Sequence, residues 1–306
     1  MRKIFTFLLL LSFFVGYDKI EATTDYIDAK GGIDDANIDS SLLVATIKGY
    51  NLPQTGRVIE FSEPTLNVLS RSSDNILFGS DQGSDTTLAV VNNSFAVVGR
   101  FHSKSVYFLR ETSENIMTFD TFTDASEELL NFQDMVYNSI RDEYVLSALS
   151  QDELIILKNG VFKRQKITDD VGISPARMRV VGDKIYLNLQ YLNDQWKSDK
   201  GVMAVIDMND YSAKFIELGL RNPVGKIEYN PYYDKDHIYT TCAGDWSKRD
   251  DGGLVKINLN THRVQPVLRE SEEEGSMLDV DFTDVSIANN GNFYICLLYT
   301  SPSPRD

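Results

Sequence analysis

The sequence predicts an all-β fold of the β-propeller class, built from blades of four strands each. The first observation is a repeat of about 50 residues: segments 201–210 and 253–261 each contain an apolar run that ends in a polar turn. The second is that short apolar runs alternate with turn sequences along most of the chain, with almost no helical periodicity. A repeat of this length that consists of strands is typical of a propeller blade.

The apolar runs come in phase and define five predicted blades and part of a sixth. The runs are 42–47 and 57–61 in blade 1; 88–91, 95–98 and 105–109 in blade 2; 144–149 and 154–157 in blade 3; 178–181, 185–189 and 202–207 in blade 4; 227–229, 238–241 and 254–257 in blade 5; and 285–288 and 293–295 in blade 6. Only residues 125–135 could form a short helix, and a connection between blades fits them equally well. We expect six or seven blades in the full protein.

Four residue pairs between these runs have the composition of tight hairpin turns. They are Asn92-Asn93, Asn159-Gly160, Gly182-Asp183 and Asn290-Gly291. Asparagine and glycine tolerate the positive φ that two-residue hairpins require. The pairs therefore support the assignment of the flanking runs to antiparallel strands.

Both ends of the chain are predicted to lie outside the propeller, which we assign to residues 42–295. Residues 1–22 resemble a signal peptide: Arg2 and Lys3 precede a short apolar run over 4–15, and cleavage is expected after Ala22, with an uncleaved anchor as the alternative. Residues 23–41 are rich in Asp, Gly and Ser and predict a flexible acidic leader. Residues 296–306 resemble the translation of a transposase-type sequencing adapter, with a natural Pro/Ser-rich tail as the alternative. On this interpretation blade 6 is truncated.

Composition restricts the class of partner. The formal net charge is −15, which argues against binding to nucleic-acid backbones or anionic membranes, because both require positive patches. Outside the predicted adapter segment, Cys242 is the only cysteine, so no intrachain disulfide is expected there. Cys242 lies in an apolar run, which predicts a buried, unreactive thiol.

Residues 92–109 contain a strand, the pair Arg100-Phe101 and a second strand, and this unit resembles the secreted YncE-like β-propeller proteins. Further segments that fit the same resemblance are 179–187, 205–207, 220–223, 242–245 and 251–253. The resemblance implies a bacterial propeller located in the periplasm, at the cell surface or in the medium, often as a lipoprotein. Residues 14–17 resemble a lipobox in which Tyr17 replaces the lipidated cysteine, which predicts a form without a lipid anchor and without a membrane span in the mature chain.

The sequence shows no catalytic signature, and we predict no catalytic residue, no metal and no cofactor. The three histidines, His102, His237 and His262, lack metal-ligand spacing, and neither a nucleophile elbow nor a phosphate-binding loop is present. Acidic residues of the later loops are expected to be solvated turn residues: Asp245, Asp250, Asp251, Asp279, Asp281 and Asp284. The alternative is a hydrolase or lyase, of a lactonase-like kind, that holds a divalent cation in these acidic loops.

One set of residues is predicted to bind a ligand at a face of the propeller: Arg100, Trp196, Arg221, Asn222, Asp245 and Trp246. Segments 194–197 and 244–247 follow matching strands of successive blades, so their loops are expected at the same face. Exposed tryptophans are good anchors for recognition, whereas packing between blades is the alternative for both. The predicted function is binding or scaffolding, with a protein, a small molecule or a glycan as the partner.

Overall fold

The computed structural model describes the strand segments up to residue 123 and then residues 130–149, 152–170, 173–193, 195, 197–245, 251–271 and 281–298. The described residues form 22 β-strands and no helix. No helix in this part of the chain has the length and apolar character needed to cross a membrane. The chain divides into two compact units, one of residues 11–137 and 157–162 and one of residues 1–10, 138–156 and 163–306.

The unit that contains residues 11–137 holds two four-stranded antiparallel sheets, each with its strands in sequence order. The first consists of β1 (Ile20–Thr23), β2 (Leu42–Gly49), β3 (Arg57–Ser62) and β4 (Asn67–Arg71). The second consists of β5 (Thr86–Val91), β6 (Ser94–Gly99), β7 (Ser105–Glu111) and β8 (Met117–Thr123). Strand β1 pairs with β2 and crosses the predicted cleavage point after Ala22. The boundaries at 22 and 41 stay predictions.

A third four-stranded sheet follows, with β9 (Phe132–Asn138), β10 (Glu143–Ala148), β11 (Glu153–Lys158) and β12 (Val161–Lys166) in sequence order. The possible helix over 125–135 is wrong for its described end, because residues 132–135 belong to β9. Phe132, Met135 and Val136 are buried at the i, i+3, i+4 spacing of a helix, but the neighbouring pairs 132–133 and 135–136 are both covered, so both faces of the strand are buried. Such burial is typical of a strand packed on both faces.

The unit that contains residues 163–306 carries the remaining sheets. One sheet consists of β13 (Pro175–Val181), β14 (Lys184–Leu189), β15 (Val202–Asp207) and β16 (Ala213–Glu217). The next consists of β17 (Ile227–Glu228), β18 (His237–Cys242), β19 (Gly253–Asn258) and β20 (Val264–Arg269). The last has β21 (Asp281–Ile287) and β22 (Phe293–Leu298). Strand β22 continues three residues beyond the predicted propeller boundary at Ile295, because Cys296, Leu297 and Leu298 keep pairing with β21.

The sheets correspond one by one to the predicted blades, and we call them blades 1 to 6. The predicted turn pairs have the expected backbone where they are described. Asn159 and Gly160 have φ of 50° and 77°, and Gly182 and Gly291 have φ of 62° and 82°. Asn92 and Asn93 lie outside the described residues.

The core between blades 4 and 5 is apolar. It combines Tyr186, Met203 and Val205 of blade 4 with the blade 5 residues at its end: Ile227, Ile238, Cys242, Val255 and Ile257. Cys242 is fully buried, as predicted, and burial raises the pKa of its thiol, with a further contribution from Glu270. The thiol is therefore uncharged at neutral pH and unsuited to nucleophilic attack.

Alternation of strand direction gives blades 4 and 5 two different ends. We call the end that carries residues 182–183, 208–212, 230–236 and 259–263 the turn end, because its connections are mostly tight hairpins. We call the end that carries residues 190–201, 218–226, 243–252 and 270 the loop end. The two strand-to-strand loops 190–201 and 243–252 connect matching strands, β14 to β15 and β18 to β19, and this places them at the same end of their blades.

Candidate ligand-binding site at the loop end of blades 4 and 5

Three of the six predicted binding residues are described, and all three lie at the loop end. Arg221 and Asn222 belong to the connection between β16 and β17, and Asp245 follows β18. Arg100, Trp196 and Trp246 lie outside the described residues, so packing or exposure of the two tryptophans stays open. Contacts between three separate chain segments bring the described residues together.

The loop 190–201 is built as an extended hairpin. Asn193 N donates to the Lys197 carbonyl at 2.9 Å, and the Asn193 side-chain oxygen accepts from the Lys197 N–H at 3.0 Å. At its base the Lys200 ammonium lies over the Tyr191 ring, 4.2 Å from the centroid. Burial, together with Asp170, raises the pKa of Tyr191 to about 12, so its hydroxyl stays protonated and donates to Asp170. Asn193 and Lys197 therefore pair with each other near the far end of this hairpin.

Asn222 joins this hairpin to the next segment. Its φ of 55° is in the left-handed region, which asparagine tolerates better than most residues. Its side-chain oxygen accepts from Gln190 Nε2 at 2.7 Å, and its N–H donates to Ser198 Oγ at 3.1 Å. Ser198 Oγ in turn donates to the Gln190 carbonyl. Asn222 is 4% exposed, so this network is buried and holds the two segments together.

Asp251 connects Arg221 to Asp245. Its carbonyl accepts from the Arg221 N–H at 2.8 Å, and its Oδ1 accepts from the Asp245 N–H at 2.8 Å. Its Oδ2 lies 3.4 Å from Arg221 Nε. Two further bonds, from Ala243 N to the Asn222 carbonyl at 2.8 Å and from Gly244 N to the Arg221 carbonyl at 3.1 Å, align the segments. One carboxylate therefore fixes the relative position of two predicted residues.

At the loop end, two aspartates are covered and the two cations next to them are about half exposed. The Asp245 and Asp251 side chains are 9% and 17% exposed, whereas their cationic neighbours Lys197 and Arg221 are 47% and 40% exposed. Lys197 Nζ lies 3.9 Å from Asp245 Oδ2. The expectation that loop aspartates are solvated turn residues is thus wrong for Asp245, because the neighbouring loops cover it. It is also wrong for Asp281, which is fully buried at the start of β21.

Glycines allow the acidic groups to approach the backbone. Gly252 donates its N–H to Glu270 Oε2 at 3.1 Å, and Glu270 is 6% exposed. A Cβ on Gly244, whose φ is 71°, would lie 2.6 Å from Asp251 Oδ1 and 3.1 Å from Glu270 Oε2. Both carboxylates therefore close over the bare Cα of Gly244, and a side chain at this position would displace them.

Sequence reasoning missed most of the supporting residues of the loop end. Gln190, Lys197, Ser198 and Glu270 were not predicted, and Asp251 was predicted only as a solvated acid. The glycines on either side of the 244–253 loop were the one available signal, and it is a weak one, because Gly and Asp are common in turns of every kind. Gln190, Lys197 and Ser198 lie close together in sequence, but their partners Asn222 and Asp245 are 24 to 48 positions away, so no local pattern marks them.

The sequence predicts no metal site and no catalytic or metal-binding histidine. Two of the three histidines lie in the described part of the chain. His237 Nδ1 lies 3.0 Å from both Asp234 oxygens at the turn end, and His262 occupies a positive-φ turn position, with φ of 57°. His102 lies outside the described residues. Within the described ranges, no group of three or more His, Cys, Asp or Glu side chains is arranged to hold a metal ion. The loop end presents two half-exposed cations, Lys197 and Arg221. Next to them lie the mostly covered side chains of Asp245, Asp251, Gln190 and Asn222.

Comparison with known proteins identifies the fold. No protein-family model matches the sequence, and no curated protein matches it.

Solved structures do match. A streptogramin B lyase structure aligns with a TM-score of 0.54 and 9% identity over 84% of this chain and 80% of the other. Virginiamycin B lyase from Staphylococcus aureus aligns with a TM-score of 0.53 and 7% identity over 91% and 82%. The β-propeller domain of Myceliophteria thermophila Cps50 (Swd1) aligns with a TM-score of 0.55 and 7% identity over 82% and 76%.

Identities this low carry information on fold alone. The repeat of four-stranded antiparallel sheets and these alignments agree with one another. The chain is a β-propeller of four-stranded blades, with five blades and part of a sixth present.

Proposed function

We propose that this β-propeller is a binding module and that the loop end of blades 4 and 5 receives its ligand. The observation that carries the proposal is that segment 218–226 is joined to loop 190–201 through Asn222 and to Asp251 through Arg221, with Lys197 and Arg221 left half exposed. Binding residues of propellers and other rigid scaffolds are commonly placed on such loops.

The charge arrangement supports a ligand that carries carboxylate or hydroxyl groups. Lys197 and Arg221 each have one acidic contact here, whereas an ammonium has three donors and a guanidinium has five, so both cations have donors to offer a ligand. The covered carboxylates orient these cations and reduce the entropy that they lose on binding. An acidic glycan, an acidic small molecule or an acidic protein surface has the complementary chemistry.

We also propose that the protein acts outside the cytoplasm, in the periplasm, at the cell surface or in the medium. The support is the signal-type sequence over 1–22 and the resemblance to secreted YncE-like propellers. Expression of the full chain in a bacterial host, followed by cell fractionation, tests the location. Recovery of the uncleaved protein in the cytoplasm would contradict it.

The binding proposal is tested with defined polysaccharides. We expect alginate or polygalacturonate to bind more tightly than dextran, and Lys197→Gln and Arg221→Gln each to weaken binding by about tenfold. Lys214→Gln is the matched control, because Lys214 is an exposed cation on β16, away from the loop end. Equal binding by all three variants, or no binding to either acidic polymer, would reject the acidic-glycan form of the proposal. An acidic protein captured through Lys197 and Arg221 would then be the remaining candidate.

A second candidate function is catalysis by a hydrolase or lyase that uses a divalent cation. Two of the structures that share this fold are named as lyases, streptogramin B lyase and virginiamycin B lyase. In this chain Asp251 and Glu270 meet over Gly244, and Asp245 lies next to them. Titration with Mg²⁺, Ca²⁺ or Mn²⁺ distinguishes the candidates: a rise in melting temperature that Asp251→Asn abolishes would favour the enzyme.

A further inference from the structure

Lys200 differs from the other two cations of the loop end because it has no carboxylate partner. Lys197 Nζ and Arg221 Nε lie 3.9 Å and 3.4 Å from aspartate oxygens. In the part of the chain that the structure describes, the ammonium of the exposed Lys200 has one partner, the Tyr191 ring, 4.2 Å from its centroid. The chain has 45 acidic and 30 basic residues, so a cation with only an aromatic ring as its partner is unexpected.

Two acidic side chains of this region are engaged with other groups. Asp170 Oδ2 accepts from the Tyr191 hydroxyl at 3.2 Å, and Asp199 Oδ1 accepts from Asn193 Nδ2 at 3.3 Å. Neither forms an ion pair with Lys200 among the described residues. An ammonium has three donors, and the face of an aromatic ring attracts the charge without using them as directed hydrogen bonds. Lys200 therefore has donors to offer a ligand.

Tyr191 holds the Lys200 ammonium in place. Its φ of 51° lies in the left-handed region, which is uncommon for a tyrosine. Two bonds fix this conformation, because its carbonyl accepts from the Asp199 N–H at 3.2 Å and its hydroxyl donates to Asp170. Backbone strain of this kind persists only where the surroundings determine it, and it is frequent at ligand sites. The ring is thus a fixed support for the cation above it.

Backbone contacts place Lys200 beside the segment that carries Arg221. The Gly201 carbonyl accepts from the Leu218 N–H at 3.0 Å, and a Cβ on Gly201 would collide with the Leu220 carbonyl. Lys200 directly precedes Gly201, and Arg221 directly follows Leu220. The two cations therefore belong to backbone segments that touch each other.

Ser198 makes a second link between the same two segments. Its Oγ lies 3.1 Å from the Lys200 carbonyl oxygen and accepts from the Asn222 N–H at 3.1 Å. Lys197 is three residues before Lys200, so their Cα atoms are at most about 11 Å apart. Lys197, Lys200 and Arg221 consequently form a row of cations around one hydrogen-bonded network.

We infer that Lys200 is the third cation of the loop-end site and that the ligand is an oligomer with a carboxylate on successive units, as in an oligouronate. The inference rests on the proposed function of this site. A single sugar acid supplies one carboxylate, whereas an oligomer supplies one for each cation, and contacts made by one linked ligand reinforce each other. Tyr191 is a positioning residue, because it acts through the Lys200 ammonium.

Calorimetric titration of the whole protein with D-galacturonate, trigalacturonate and the uncharged maltotriose tests the inference. We expect trigalacturonate to bind about 100-fold more tightly than the monomer, and maltotriose to bind more weakly than trigalacturonate. Lys200→Gln should lower the trigalacturonate affinity about tenfold and change the monomer affinity by less than about twofold. Lys214→Gln is the matched control, because it removes an exposed cation from β16 and should change neither affinity.

Two variants of Tyr191 test its positioning role at the same backbone position. Tyr191→Phe keeps the ring and loses the bond to Asp170, and Tyr191→Leu loses the ring as well. We expect Tyr191→Leu to lower the trigalacturonate affinity about threefold, and Tyr191→Phe to retain the affinity of the wild type. Monomer binding should be unchanged in both, which a general distortion of the loop would not allow. Equal trigalacturonate affinities of the two variants would reject the role of the ring.

Three outcomes would overturn the inference, and they separate it from the proposed function. If Lys200→Gln binds trigalacturonate like the wild type while Lys197→Gln and Arg221→Gln weaken binding, the loop-end function stands and the third cation is rejected. Equal losses of monomer and trigalacturonate affinity in Lys200→Gln would reject the oligomeric ligand. No binding of either galacturonate would reject the inference together with the acidic-glycan form of the proposed function.

Discussion

The turn end and the loop end of blades 4 and 5 are held together by different kinds of hydrogen bond. At the turn end, Asn230 Oδ1 accepts the N–H groups of Tyr232 and Tyr233, and Asn258 Oδ1 accepts those of Asn260 and Thr261. These partners are two or three residues away in sequence. At the loop end, the Gln190–Asn222 and Arg221–Asp251 contacts join residues about 30 positions apart. Turn geometry therefore accounts for these bonds at the turn end, whereas contacts between distant segments account for those at the loop end.

The turn end also contains a repeated contact between blades. Asn138 and Asn230 each follow a tyrosine, and each oxygen caps two N–H groups of its own turn. Their Nδ2 groups donate to carbonyls of the next blade, Asn138 to Met208 and Asn230 to Ile287, both at 2.8 Å. Each of these asparagine side chains thus caps its own turn and bonds the next blade. At the loop end, different residues make these two kinds of contact.

The largest effect is expected from Asn230→Ala. This change removes the caps of two N–H groups and leaves the Ile287 carbonyl without its donor in a buried position, which should cost about 3 kcal/mol of the free energy of unfolding. Chemical denaturation measures it. Asn289→Ala is the control, because the exposed Asn289 loses only its 2.9 Å bond with Asn230. Equal costs for both variants would show that the turn end is not held through Asn230.

Gly225→Ala should have the next largest effect, at the loop end. The added Cβ would collide with the Thr241 side chain and lie 3.1 Å from the Thr283 carbonyl, so we expect a cost of about 2 to 3 kcal/mol. Thr241 Oγ1 is buried without a hydrogen-bond partner in the described structure, so Thr241→Ala removes the obstacle and no hydrogen bond. The double variant should recover part of the loss in thermal denaturation. Strictly additive losses would contradict the collision.

Asn222→Ala separates backbone strain from side-chain bonding at the loop end. Loss of the bond from Gln190 and an alanine at a φ of 55° should together cost about 2 kcal/mol. Asn222→Gly removes the same bond without the strain and should cost about half as much. The difference between the variants, measured by denaturation, gives the strain. A glycine variant as unstable as the alanine variant would mean that φ is unimportant here.

The smallest effect concerns pH at the turn end. Asp207 is bonded to Lys184 at 2.5 Å and to Asn209, and these contacts lower its pKa to about 2. A carboxyl whose pKa is lower in the folded state stabilises the protein above its unfolded pKa of about 3.9, and this contribution is lost as the pH falls toward 2. The stability difference between the wild type and Asp207→Asn should therefore shrink from pH 4 to pH 2.

Asp183→Asn, at 3.4 Å from Lys184, is the control and should show a smaller change. A difference that is constant with pH would contradict the assignment.

The sequence alone determined the class of fold, the strand runs and the described turns. Periodicity and the Asn-Gly and Gly-Asp pairs act over a few residues, so they can be seen without a structure, as the φ values of Asn159, Gly160 and Gly182 confirm. The expectation for residues 125–135 failed where it overlapped β9, because Phe132, Met135 and Val136 have the spacing of a helical face although they lie in a strand covered on both faces. Arg221, Asn222 and Asp245 were selected from the sequence, and the structure places them together.

Only the tertiary structure decided how these residues are partnered. Asp251 accepts hydrogen bonds from Arg221 and Asp245, Asp245 is covered by its neighbours, and Glu228 accepts a hydrogen bond from Ile287 of the next blade, because segments far apart in sequence meet there. Burial and electrostatic neighbours depend on contacts between residues far apart in sequence, and a single sequence contains no local signal for them. The blades could be predicted from their repeats, whereas the burial and the hydrogen-bond partners of the polar residues between blades could not.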